Sequence, residues 1–160
     1  MSRKLVLWSI LSLVAVLVGC TSQKVLNSMT SVRGYTITSD VPYERKLGLT
    51  LDVYGPNQVH DAPVIVFFYG GRWTQGDKAD YKFVGQALAT RGFVVVTPNT
   101  RHYPQVRFPD FVKDGALAVK WARDNAKTYG GNPSKLFVMG HSSGAHIAAM
   151  IALNENYLKN

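Results

Sequence analysis

One segment, Lys135-Leu-Phe-Val-Met-Gly-His-Ser-Ser-Gly-Ala-His-Ile-Ala-Ala-Met150, constrains the fold of this chain more than any other. Its first residues read as an apolar strand, Gly140-His141-Ser142-Ser143-Gly144 as a sharp turn, and the remainder as a helix. A strand that passes into a helix through so short a link holds its middle residue in a strained backbone conformation. Glycines are needed wherever a Cβ would collide with the neighbouring chain. The strain lifts the Ser142 hydroxyl above the sheet, beside the free N–H groups at the start of the helix, which favour negative charge. The turn therefore predicts Ser142 as an acyl-accepting nucleophile.

The rest of the chain predicts a sheet able to carry such a turn. Tyr35 to Thr38 and Leu49 to Tyr54 alternate apolar and polar residues, the pattern of half-exposed antiparallel strands. Val64 to Phe68, Phe93 to Thr97 and Leu136 to Met139 are continuous apolar runs, the pattern of parallel strands buried on both faces. Between these runs, Tyr81, Val84 and Leu88 share one helical face. Val112, Ala116, Val119, Ala122 and Ala126 form a longer stripe opened by Pro109-Asp110. Strand and helix alternate, so the expected fold class is α/β, with antiparallel first strands leading into a doubly wound parallel sheet.

A second motif stands at the end of the first buried run: Phe68-Tyr69-Gly70-Gly71-Arg72-Trp73-Thr74-Gln75-Gly76-Asp77-Lys78. Paired glycines after a parallel strand let backbone N–H groups face a cavity and, with the N–H of Ser143, meet an oxyanion. With both motifs in this order, the chain resembles the α/β-hydrolase superfamily, specifically bacterial esterases with an H-G-G-x-W oxyanion loop. Hormone-sensitive-lipase-like carboxylesterases and arylformamidases are related to these. Asn99-Thr-Arg-His-Tyr-Pro104, Arg107-Phe-Pro-Asp110 and Tyr129-Gly-Gly-Asn-Pro133 extend the resemblance over most of the chain. It implies Ser142 as nucleophile, the N–H groups of Gly71, Arg72 and Ser143 as the oxyanion hole, and a small-molecule ester as substrate. Arylformamide and peptide hydrolysis use the same apparatus.

The chain departs from the family pattern at two points. Tyr69 replaces the usual histidine of the oxyanion loop. The triad order of serine, acid, histidine is also incomplete, because only Glu155 and His146 follow Ser142 as candidates. His146 reads as a helix residue, His141 as part of the turn, His60 as a loop residue, and His102 as an unconventional base at the pocket mouth. The expectation is the N-terminal half of an α/β-hydrolase fold, either a fragment of a longer enzyme or a truncated product that is itself inactive. A non-catalytic binding remnant is the alternative from another functional class. No phosphate loop, dinucleotide fingerprint or metal-ligand cluster is legible, so no cofactor and no metal are expected.

The N-terminus reads as a targeting segment. Arg3 and Lys4 precede an apolar run from Leu5 to Val18, shorter than the roughly 20 residues of a bilayer span. Leu17-Val18-Gly19-Cys20 resembles the lipobox of bacterial lipoproteins, and Cys20 is the only cysteine, so no disulfide can form within the chain. The expected organisation is a lipoprotein signal peptide at 1–19, a tether at 20–31 beginning with lipidated Cys20, and a partial hydrolase domain at 32–160. Thr21 after the cysteine resembles an outer-membrane sorting signal, which places the protein in the bacterial cell envelope facing the periplasm. The net charge of +8 is scattered rather than clustered, which suits a solvated surface near anionic headgroups and excludes a nucleic-acid footprint.

Overall fold

The computed structural model describes residues 24–31 and 33–159. The expected signal segment 1–19 and Cys20 lie outside the described residues. Among the described residues, no helix is long and apolar enough to cross a membrane. Residues 24–28 are helical, although the sequence predicts a tether there. The Asn27 side chain fastens this stretch down, donating to the Ala79 carbonyl at 2.9 Å and accepting from the Phe83 N–H at 3.1 Å.

Five strands follow: β1 (Tyr35–Glu44), β2 (Leu49–Pro56), β3 (Ala62–Phe68), β4 (Val94–Pro98) and β5 (Gly131–Gly140). Three helices accompany them: α1 (Lys82–Ala89), α2 (Asp110–Asn125) and α3 (Ser143–Leu153). The sheet order is β1-β2-β4-β3-β5. The pairs β1/β2 and β2/β4 are antiparallel, whereas β4/β3 and β3/β5 are parallel. Alternate residues of each strand feed opposite faces. Val64, Val66, Phe68, Val94 and Val96 pack with Val112, Ala116, Ile147 and Ile151 of α2 and α3. On the other face, Tyr54, Phe67 and Val95 pack with Tyr81 and Ala89 around α1.

Two strands differ from their sequence patterns, and their position in the sheet explains both. β2 was expected to be half-exposed, yet Asp52 and Tyr54 are buried along with Leu51 and Val53. It lies inside the sheet, between β1 and β4, with α1 packed over it. β5 was expected to be buried on both faces, but Phe137 is 57% and Met139 45% exposed. Among the described strands β5 pairs only with β3, so its outer edge is open.

A buried ion pair ties the loop after β3 to the first hairpin. The Lys78 ammonium reaches Asp52 and Asp40, each at 2.7 Å, with the Lys78 and Asp52 side chains only 6% and 4% exposed. Burial alone would lower the Lys78 pKa; hydrogen bonds to the two carboxylates outweigh it and hold the pKa above the ordinary lysine value. Asp52 also accepts from the Asp40 N–H at 2.9 Å, and the Lys78 N–H donates to Asn99 Oδ1 at 2.9 Å. Removing one partner of such a pair strands a charge in the interior, whereas removing both does not. Lys78→Met should lower the unfolding free energy by about 3 kcal/mol in urea titration. The double variant Lys78→Met/Asp52→Leu should be more stable than Lys78→Met alone, and additive losses would refute the coupling.

Candidate active site

The turn between β5 and α3 is built by close backbone approach. In the β3/β5 register Phe68 lies opposite Gly140, and the His141 N–H donates to the Phe68 carbonyl at 3.0 Å. A Cβ on Gly140 would stand 2.3 Å from the Gly144 carbonyl oxygen, and one on Gly144 would stand 2.1 Å from that of Phe68. Neither contact is possible, so only glycine permits the turn. Between them, Ser142 is held at φ 53° and ψ −121°, a conformation that costs a non-glycine residue roughly 1–3 kcal/mol. Ser142 is exposed, while Ser143 and Gly144 on the first turn of α3 are buried.

The loop after β3 leans directly on this turn. A Cβ on Gly70 would lie 2.7 Å from His141 Nδ1 and 3.0 Å from Ser142 Cβ. The Gly71 carbonyl accepts from the N–H groups of Thr74 and Gln75, each at 3.0 Å, which curls the loop back on itself. Arg72 and Trp73 sit in the left-handed region, at φ 57° and 61°. The N–H groups of Arg72 and Ser143 have no hydrogen-bond partner among the described residues. The third expected oxyanion donor is different: the Gly71 N–H donates to Ser143 Oγ at 2.9 Å. A serine at position 143 brings an acceptor that a purely apolar side chain would lack.

Tyr69, the departure in the loop, is buried and has partners of its own. Its hydroxyl lies 3.1 Å from His102 Nε2 and 3.5 Å from the Thr100 N–H. Burial pushes the Tyr69 phenol up to about 12, so it stays protonated. Burial also lowers the His102 pKa below 6.5, against a weaker opposing pull from Asp77. His141 Nδ1 lies 3.0 Å from the Tyr81 hydroxyl. His146 is exposed on α3, edge-on to Trp73 with ring centroids 5.5 Å apart. His60 is exposed in the loop before β3.

Trp73, Phe108 and His146 form an exposed aromatic rim over Phe111, one helical turn from Ser142. Behind the site, Asp114 is fully buried and binds Arg101 through both its backbone N–H and its guanidinium, the closest contact being 2.7 Å. Asp77 caps the 3-10 turn Lys78–Tyr81 through the Ala79 N–H at 2.7 Å and accepts from Asn99 at 3.0 Å. Sequence reading missed the Lys78–Asp52 pair, the Tyr81–His141 contact and the side-chain role of Ser143. Their only sequence signals are a polar residue inside an apolar strand and hydroxyls beside the turn. Among the described residues, no group of three or more metal-ligating side chains comes together.

A histidine held below its ordinary pKa binds fewer protons folded than unfolded. Its stabilising contribution is full above the unfolded value near 6.5 and is lost as pH falls through the folded midpoint. Protonation also adds a second ring N–H and so changes what His102 offers the Tyr69 hydroxyl. His102 should titrate below its peptide value by NMR, and urea midpoints should fall on acidification through that range. His102→Asn should flatten this slope; an unchanged slope would mean that other groups carry it.

The BD-FAE family model matches residues 51–160. The isoprenylcysteine alpha-carbonyl methylesterase ICME of Arabidopsis thaliana is 36% identical over 125 residues, covering 78% of this chain and 28% of that protein. Carboxylesterase NlhH of Mycobacterium tuberculosis is 33% identical over 114 residues, covering 70% of this chain and 36% of that one. Among solved structures, a hyperthermophilic esterase from the archaeon Pyrobaculum calidifontis superposes with a TM-score of 0.74 at 28% identity, over 85% of this chain and 45% of its own. This chain therefore spans about a quarter to a third of the curated relatives and under half of that esterase. The matched stretch carries both the oxyanion loop and the serine turn, and by it the chain belongs to the BD-FAE family of α/β-hydrolases.

Proposed function

We propose that this chain carries the nucleophile and oxyanion hole of a serine carboxylic-ester hydrolase. The observation that carries the reading is the placement of Ser142: exposed, at positive φ, between β5 and α3, with the Gly70–Gly71 loop against it. In this reading Ser142 Oγ attacks the ester carbonyl carbon and loses its proton to a general base. The carbonyl oxygen takes up the electron pair and is held by backbone N–H groups, each worth about 3 kcal/mol of barrier when well placed. Collapse expels the alcohol and leaves an acyl group on Ser142; water then releases the acid. His102 Nε2 is engaged with the Tyr69 hydroxyl and His146 stands on α3 edge-on to Trp73, so neither contact directs a ring nitrogen at Ser142, and we assign acid and base to the length of the relatives that this chain does not share.

Support for an ester over a formamide or peptide comes from the relatives, which include a methylesterase and a carboxylesterase by name. The aromatic rim of Trp73, Phe108 and His146 suits an apolar group on either side of the ester. The 160-residue chain should show little turnover, since loss of the base costs orders of magnitude even where the oxyanion hole survives. A slow single acylation should remain. With p-nitrophenyl acetate, mass spectrometry should find acetyl on Ser142, and Ser142→Ala should abolish it. Acetylation that persists in the alanine variant would refute the assignment. N-formylkynurenine and an aminoacyl arylamide should acylate more slowly.

We further propose that Cys20 is lipidated and holds the domain at the cell envelope, on the outer membrane facing the periplasm. The support is the apolar run that ends in Leu17-Val18-Gly19-Cys20. Expressed in a Gram-negative host, the protein should take up labelled palmitate and partition into detergent. Cys20→Ser should lose both properties, and equal partition of the two forms would rule out the anchor.

A further inference from the structure

The Gly71 peptide is fully occupied within the resting site. Its carbonyl accepts from the Thr74 and Gln75 N–H groups at 3.0 Å, and its N–H donates to Ser143 Oγ at 2.9 Å. A Cβ on this residue would overlap the Gln75 carbonyl, so only glycine fits here. Ser143 is only 6% exposed. The residue lines a cavity of about 10 Å³ with Tyr69, Gln75 and Ile147. The Gly71 N–H and the Ser143 hydroxyl meet in a part-buried contact, while Ser142 stands exposed. The Arg72 and Ser143 N–H groups have no partner among the described residues.

From this arrangement we infer that Ser143 is a positioning residue: its hydroxyl rivets the oxyanion loop to the serine turn through Gly71, and the hole has two donors, the N–H groups of Arg72 and Ser143. The inference rests on the hydrolase reading for its catalytic meaning, though not for the rivet itself. A fastening is needed because Arg72 and Trp73 are both held at positive φ, which non-glycine residues leave when released. The Arg72 N–H shares a peptide plane with the Gly71 carbonyl, which Thr74 and Gln75 hold, and the bond to Ser143 fixes the preceding plane, so both planes flanking Gly71 are tied. One residue would then do two jobs, its backbone donating to the oxyanion and its side chain holding the second donor in register.

The test uses the 160-residue chain, a fluorophosphonate ester as probe, and amide exchange at Gly71. In the labelling step Ser142 Oγ bonds to phosphorus, fluoride leaves with its electron pair, the serine proton passes to solvent, and the phosphoryl oxygen enters the hole. Ser143→Ala should slow the maximal labelling rate roughly fivefold, about the worth of one net hydrogen bond, with the probe's half-saturation unchanged. The Gly71 amide should exchange faster by a similar factor. Ser143→Thr, which keeps the hydroxyl, should restore both. Faster labelling of Ser143→Ala would overturn the inference, because the hydroxyl would then compete with substrate for the Gly71 N–H. Unchanged labelling with unchanged Gly71 exchange would overturn it as well. If the unaltered chain is not labelled at Ser142, the hydrolase reading fails. The rivet is then decided by exchange alone, where faster exchange in the alanine variant supports it and equal exchange refutes it.

Discussion

Everything around Ser142 depends on how closely the start of α3 can approach the end of β3. That approach is a backbone-to-backbone contact, Gly144 against the carbonyls of Phe68 and Tyr69, in a space too small for a methyl group. Because α3 must enter there, the chain leaves β5 in a single step, and Ser142 absorbs the geometric cost as a positive φ. The same contact sets Ser143 against the loop that follows β3, so the proposed nucleophile and oxyanion donors derive from one packing event. Overpacking at such a site usually costs 1–3 kcal/mol in a deformable core, and here the obstructing atoms are sheet backbone that has little freedom to yield.

The loop is held at its far end by a different kind of force. Lys78 is buried between Asp40 and Asp52, and Asn99, just past β4, completes the anchor by bonding the Lys78 N–H and the Asp77 carboxylate. A buried ion pair contributes little net stability over a well-packed apolar pair, but it penalises every arrangement in which its members separate. Fixing the loop's exit to the first hairpin leaves its near end, Gly70 to Trp73, to be set by contacts with the serine turn. Tyr69 adds a third fastening through His102, and burial disfavours charge on both of its partners.

What could be read from the sequence was what local pattern determines. Continuous apolar runs located β3, β4 and β5, helical spacing located α1 and α2, and the paired glycines located the turn at Ser142. The antiparallel first strands were also legible, from their alternation. Burial was not, because it depends on what lies alongside: β2 is sealed by its neighbours and α1, while β5 carries an apolar run along an open edge. Interactions that join distant segments were equally hidden. Lys78 and Asp52 are 26 residues apart, and Gly71 and Ser143 are 72 apart, so neither pairing leaves a local trace. The role given to Gly71 as a donor came from the paired glycines and the family resemblance, and neither reveals that its N–H reaches Ser143 Oγ at 2.9 Å.

The start of α3 shows that the helix is left unfinished where the chemistry would need it. The chain is able to cap a helical turn, as Asp77 does at Lys78–Tyr81. At α3 the N-cap residue is Ser142 itself, and its side chain makes no capping bond; no acidic residue stands in the first turn. Leaving an N-terminus without such a cap typically costs about 1 kcal/mol. It also leaves unpaired N–H groups and the positive end of the helix dipole beside Ser142, with no acidic residue in the first turn to neutralise them. A hydroxyl folded back as a cap would satisfy the helix and remove the nucleophile from reach. The positive φ at Ser142 prevents this by turning the side chain outward. Backbone strain and the missing cap are therefore one feature, since a relaxed Ser142 would fill the site that a substrate oxyanion is proposed to occupy.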